Sequence, residues 1–151
     1  QSARDELDHV TDGGHVERSL HYHHYTLDFY LLALLLAERS RDGEASARFT
    51  DAATRLAEFA VAIADDNGRV PLIGDDDGGM LWPIAGRSCA DLRDSLALAA
   101  VVLARPDLAR WGVPEEVFWI AGGAAAEQEP LVEAYRLGAA GPPSATFAAT
   151  G

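Results

Sequence analysis

Glu17-Arg18-Ser19-Leu20-His21-Tyr22-His23-His24-Tyr25-Thr26-Leu27-Asp28-Phe29-Tyr30-Leu31-Leu32-Ala33-Leu34-Leu35-Leu36-Ala37-Glu38-Arg39-Ser40 is the stretch that decides the fold. It contains neither proline nor glycine and reads as one long helix. Its two halves differ in character. Phe29 to Ala37 is apolar all round, a pattern that places a helix in the interior of an assembly. That run is far shorter than the ~20 apolar residues that span a bilayer. The first half carries imidazoles and phenols instead. Tyr22, Tyr25, Phe29, Leu32 and Leu36 fall on one helical face at steps of three and four, and His21, His24 and Asp28 share a neighbouring face. Arg41-Asp42-Gly43 closes the helix.

Working outward, Ala45 to Asp66 is predicted as a second helix. Phe49, Ala52, Ala53, Leu56, Phe59, Ala60 and Ile63 repeat at three and four along it. Asn67-Gly68 ends this helix, and a long Gly/Asp/Pro-rich connection runs from Arg69 to Arg87. A connection of that length inside a compact chain tends to carry function or disorder. Ala90 to Ala104 is predicted as a third helix with Leu92, Leu96, Ala99 and Leu103 on one face, broken by Pro106. Pro114 suits the first turn of a short helix at Glu115–Ile120, and Pro130 starts a last one at Leu131–Leu137. A short helical pattern at residues 2–10 stops at Asp12-Gly13-Gly14. The expected fold class is all-α, built of helix hairpins stacked side by side.

Composition narrows the function classes. A chain of 151 residues, 48% of them hydrophobic, is long enough for one domain with a real core. Its formal net charge of −12, with no basic stripe, argues against nucleic acid and anionic membrane surfaces as partners. The single cysteine, Cys89, excludes an internal disulfide and reads as a small buried residue. The chain starts with Gln1 and ends in a Pro142-Pro143 tail with nothing to pair against, so the expectation is a piece of a longer protein.

Chemistry concentrates between Asp12 and Tyr25, where four of the five histidines stand beside Arg18 and two tyrosines. A tyrosine close to positive charge loses its proton more readily and can act as a general base, then as an acid. Tyr22 is the candidate for that role. Arg18, His23, His24 and Tyr25 are the candidate substrate-binding residues. Glu17 and Ser19 suit the capping of the helix start. His21, His24 and Asp28 could also form a three-ligand metal face, but the pair of histidines matches no metal-binding motif, and no metal or cofactor is expected. Three adjacent carboxylates, Asp75-Asp76-Asp77, repel one another and require partners. Their spacing does not match a calcium loop, whose ligands alternate. A solvated acidic turn is one reading; an Asp that orients a partner such as Arg18 is another.

Two motifs together resemble the heparinase II/III-like family of polysaccharide lyases. The first is Asp12-Gly13-Gly14-His15-x-Glu17-x-Ser19-x-x-Tyr22-His23, and the second is Pro71-Leu72-Ile73-Gly74-Asp75-Asp76-Asp77-Gly78. The match runs from about Asp12 to Leu103. The resemblance implies that residues 1–140 form the C-terminal part of an incomplete α/α toroid. It further implies that residues 141–151 lead into a β domain, with the tail from Ser144 as its first strand. It implies cleavage of an anionic, uronic-acid polysaccharide such as a glycosaminoglycan or alginate by β-elimination, with Tyr22 as acid/base. The remaining toroid helices and the β domain of the same parent would be the partners. It also implies a periplasmic or secreted setting. In the family, the group that neutralises the uronate carboxylate lies on an earlier helix.

Two other function classes fit the same residues. A glycoside hydrolase on an α/α toroid would use Asp12 with Asp75–Asp77 as paired carboxylates. A non-enzymatic helical module would use the histidines to hold a metal or ligand.

Overall fold

The computed structural model describes residues 13–81 and 88–122. Four α-helices follow one another: α1 (Leu20–Ser40), α2 (Gly43–Ile63), α3 (Arg93–Val102) and α4 (Glu115–Ala121), with a 3-10 turn at Pro106–Leu108 before the last. The chain is all-α over these residues, with stacked helices, as expected. The helical patterns at residues 2–10 and Leu131–Leu137, the tail from Ser144, and Asp12 lie outside the described residues.

The α1–α2 hairpin is closed by two residues with defined jobs. Arg41 adopts a left-handed conformation, φ 58°, and its N–H reaches back to the carbonyls of Ala37 and Glu38. The Asp42 N–H donates to Ala37 O at 3.0 Å, and the Asp42 carboxylate accepts the Ala45 N–H at 3.1 Å. Asp42 thus ends one helix and caps the next, satisfying groups that every helix terminus leaves open. Helix α2 begins two residues earlier than the spacing predicted, because the cap is Asp42. Helix α1 begins at Leu20 rather than Glu17, because Ser19 is its N-cap: Ser19 Oγ accepts the Tyr22 N–H at 3.2 Å.

The stripe read along α2 is the buried one. Ala52, Ala53, Leu56, Ala57 and Ala60 are fully enclosed, with Phe49 and Ile63 packed partly buried at the ends. Small side chains along this face let α2 pack against α1, whose Leu27, Tyr30 and Leu31 share the same core. Helix α3 lies against both.

One expectation is corrected here. The apolar run Phe29–Ala37 is not buried all round: Phe29 is 44% exposed and Leu36 57% exposed. The face with Tyr22, Tyr25, Phe29, Leu32 and Leu36 points outward. The helix enclosed on all sides is α3, where every residue from Ser95 to Val101 is buried. It is short, but α1, α2 and α4 all pack against it. Among the described residues no helix is long and apolar enough to cross a membrane.

The connection from α2 to α3 is anchored at its two ends. Val70 N–H donates to Ala90 O and Leu92 N–H to Gly68 O, both at 2.9 Å, so an antiparallel bridge joins Arg69 to Asp91. Asp91, buried, takes a bidentate grip on Arg93 at 2.9 and 2.6 Å. On the other side, Arg105 clamps Asp107 and Glu58, tying the 3-10 turn to α2.

Burial decides what a substitution along α1 costs. Leu31→Ala, at a fully buried position, is expected to lower unfolding free energy by about 2–5 kcal/mol in urea melts. Leu36→Ala, on the outward face, is expected to change it by less than about 0.5 kcal/mol.

Candidate functional site

The site forms where the start of α1 meets the acidic loop. A helix start leaves backbone N–H groups without partners. Here the loop supplies them. Leu20 N–H donates to Ile73 O at 3.0 Å, and the Ser19 hydroxyl donates to Asp75 O at 2.6 Å. Gly74 sits between these two contacts with φ +84°, and a Cβ there would lie 2.6 Å from Ser19 Cα and 2.9 Å from Arg18 O. Only glycine allows this approach, because the conformation is left-handed and the space is filled by backbone.

Docked this way, the three aspartates diverge to three different partners. Asp75 Oδ2 accepts the Tyr22 hydroxyl at 3.2 Å. Asp76 Oδ2 accepts the Cys89 thiol at 3.4 Å. Asp77 Oδ1 accepts His21 Nε2–H at 3.1 Å. Backbone amides add to this: Gly78 N–H donates to Asp76 at 2.8 Å and Gly79 N–H to Asp77 at 3.2 Å. The Gly78 amide and, next, the Cys89 thiol hold the Asp76 carboxyl below the usual carboxylate range. The repulsion expected among the three charges is relieved in this manner. None of them pairs with Arg18 among the described residues.

Tyr22 stands in the first turn of α1, at the edge of this cluster, and its electrostatics differ from expectation. Its neighbours are carboxylates rather than a cationic patch. Partial desolvation and, next, the Asp75 charge raise the phenol above its ordinary value, so the hydroxyl stays protonated and donates to Asp75. Tyr25 is half-buried, stacked on His21 at 6.5 Å between ring centroids and edge-on to Phe29 at 4.8 Å. Arg18 is exposed one residue before the cap, with φ 54°.

Two of the proposed substrate-binding residues are corrected to structural ones. His23 is fully buried; its Nε2–H donates to Leu56 O at 3.0 Å and its ring packs on Phe59. Burial pushes its pKa down to about 3, so it is a neutral core residue tying α1 to α2. His24 is also buried. Its Nδ1–H donates to Cys89 O at 2.8 Å, and its Nε2 lies 2.7 Å from Ser95 Oγ and 3.8 Å from Asp28. Both of its nitrogens are engaged, which removes the His21–His24–Asp28 metal face.

The residues that can gather round a cation are different: His21 Nδ1 or Nε2, an Asp76 oxygen and Cys89 Sγ lie within 4.8 Å of one another. Cys89 had read as a small buried residue; it is half-buried, and no spacing in the sequence links it to Asp76 or His21. Asp75 had not been paired with Tyr22 either. No family model, no curated protein and no solved structure matches this chain.

Gly74→Ala is expected to push the acidic loop off the α1 start, with loss of the Tyr22–Asp75 bond. A shift of the Tyr22 side-chain resonances with retained helical circular dichroism checks it. Asp28 yields a pH prediction. Burial, opposed by His24 and Ser95 and aided by Asp94, raises its pKa from 3.8 to about 6. The folded state therefore holds the Asp28 proton more tightly than the unfolded chain. Its ionisation costs stability progressively as pH rises from about 4 to about 6, by at most ~3 kcal/mol. Asp28→Asn is expected to gain on the wild type across that interval and to keep the gain above it, read as the difference between their urea midpoints.

Proposed function

We propose that this chain is the catalytic helical part of a polysaccharide lyase of the heparinase II/III-like kind, cleaving uronic-acid polymers by β-elimination. In this reading the stacked hairpins belong to an α/α toroid, and the exposed edge between α1 and the acidic loop faces an anionic sugar chain. The observation that carries it is the Tyr22 hydroxyl, held at 3.2 Å from Asp75 on an accessible edge.

The chemistry needs two proton transfers at neighbouring carbons, one from C5 of the uronate and one to the departing oxygen on C4. A hydrogen-bonded phenol–carboxylate pair can perform both. As the Tyr22 oxygen takes the C5 proton, its own proton passes to Asp75, leaving a carbanion stabilised by the uronate carboxyl group. Tyr22 then gives its proton to the glycosidic oxygen as the C4–O bond breaks and the C4–C5 double bond forms. The proton on Asp75 returns to Tyr22, and the pair is restored. Such positioned acid–base catalysis contributes about 10²–10⁴-fold in rate. Arg18, exposed at the same helix start, offers positive charge to the uronate, and Tyr25 offers a ring edge to the sugar. The remaining neutralisation of the uronate carboxylate falls to other helices of the toroid.

In the whole protein that carries this chain, incubation with a uronate polymer is expected to yield products with new ultraviolet absorbance from the C4–C5 double bond. Tyr22→Phe should abolish that signal with helicity intact, and Asp75→Asn should cut it by about 10²–10⁴-fold. Undiminished turnover by Tyr22→Phe overturns the assignment. Saturated products with a new reducing end assign the chain instead to the hydrolases.

A further inference from the structure

We infer that His21, Asp76 and Cys89 form a binding site for a divalent cation of the zinc class. The three residues come from three segments: the first turn of α1, the acidic loop and the turn leading into α3. Their candidate ligand atoms fall within 4.8 Å of one another, a spread that fits one metal ion bound by nitrogen, oxygen and sulfur. That donor set suits zinc or cobalt and does not suit calcium or magnesium, which take oxygen ligands.

The carrying observation is His21. Its ring is buried, 4% exposed, and its Nδ1 has no hydrogen-bond partner. An orphaned buried nitrogen is costly; His23 Nδ1 is unpaired too, but the His21 nitrogen alone of the two faces a carboxylate. Nε2–H donates to Asp77, which fixes the tautomer: in the neutral ring Nδ1 carries the lone pair. That lone pair lies 3.6 Å from Asp76 Oδ1. Two electron-rich atoms at that separation repel each other, and a proton on Nδ1 is too far from Oδ1 for a hydrogen bond. A cation between them satisfies both. The Asp77–His21 bond is then the outer-sphere carboxylate that metal-bound histidines generally have.

The cluster is held in advance of binding. His24 Nδ1–H pins the Cys89 carbonyl at 2.8 Å, and the Gly78 amide orients Asp76 at 2.8 Å. The Cys89 thiol already points at Asp76 Oδ2. On binding, the thiol proton leaves to solvent and the thiolate takes its place on the metal, so binding releases a proton. Three protein ligands leave a fourth position for water or a substrate oxygen.

The test is metal binding by the chelator-stripped 151-residue chain, read by elemental analysis after dialysis against zinc and by the optical spectrum with cobalt. One zinc per chain is expected, with a thiolate-to-cobalt charge-transfer band that Cys89→Ser removes. His21→Ala and Asp76→Asn should each lose stoichiometric metal, and Asp77→Asn should weaken affinity by about 10–100-fold. Asp76→Asn changes a partly exposed side chain, so it decides the matter even where His21→Ala fails to fold. Absence of stoichiometric zinc in the wild type overturns the site. So does binding that survives both Cys89→Ser and Asp76→Asn. None of these readouts depends on turnover of a polysaccharide.

Discussion

Residues 73–75 lie across the amino-terminal end of α1, and every feature of the site follows from that contact. The helix needs partners for its first N–H groups, and the loop needs a place to fasten an otherwise solvated acidic run. Ile73 O takes the Leu20 amide, and Asp75 O takes the Ser19 hydroxyl. Ser19 works in both directions, accepting the Tyr22 amide inside the helix while donating to the loop outside it. Gly74 makes this possible by lacking a side chain where backbone already stands. Once the loop is docked, the register of Asp75, Asp76 and Asp77 is set relative to Tyr22, Cys89 and His21.

The histidines of α1 illustrate how one helix serves a core and a surface at once. His23 and His24 have been drawn inward, to a carbonyl of α2 and to the segment before α3. They join elements distant in sequence, and burial deprives His23 of its charge. His21, one turn from His24, turns instead to the acidic loop, where its Nδ1, like that of His23, has no hydrogen-bond partner but faces Asp76 at 3.6 Å. A lone polar atom of this kind is the exception in a folded interior. The outward face with Tyr22, Tyr25 and Phe29 is continuous with the site, so α1 presents aromatic surface beside the clustered polar groups.

The acidic character of the chain takes on a local meaning. A net charge of −12 disfavours anionic partners at long range, yet the three loop carboxylates are not free charges. Each is tied to a phenol, a thiol or an imidazole, and all three also accept backbone amides. The same carboxylates that would repel a uronate therefore orient Tyr22 and frame His21 and Cys89.

Periodicity was enough to read the α1–α2 hairpin, the buried stripe of α2 and the all-α class, because those features depend on neighbours within a few residues along the chain. Caps at Ser19 and Asp42 shifted the helix starts but obeyed rules of local hydrogen bonding. Tyr22 drew notice for positive charge close to it in sequence, but the fold sets carboxylates beside it instead. What the linear order could not decide was which side of a uniformly apolar run meets solvent. Phe29 and Leu36 face outward, while α3 takes the interior, since burial depends on what packs against a helix and not on its composition alone. Nor could it separate the three histidines or bring Cys89 to Asp76 and His21. Those relations are made by the docked loop, through contacts between residues 13 to 71 positions apart, and distance along the chain carries no trace of them.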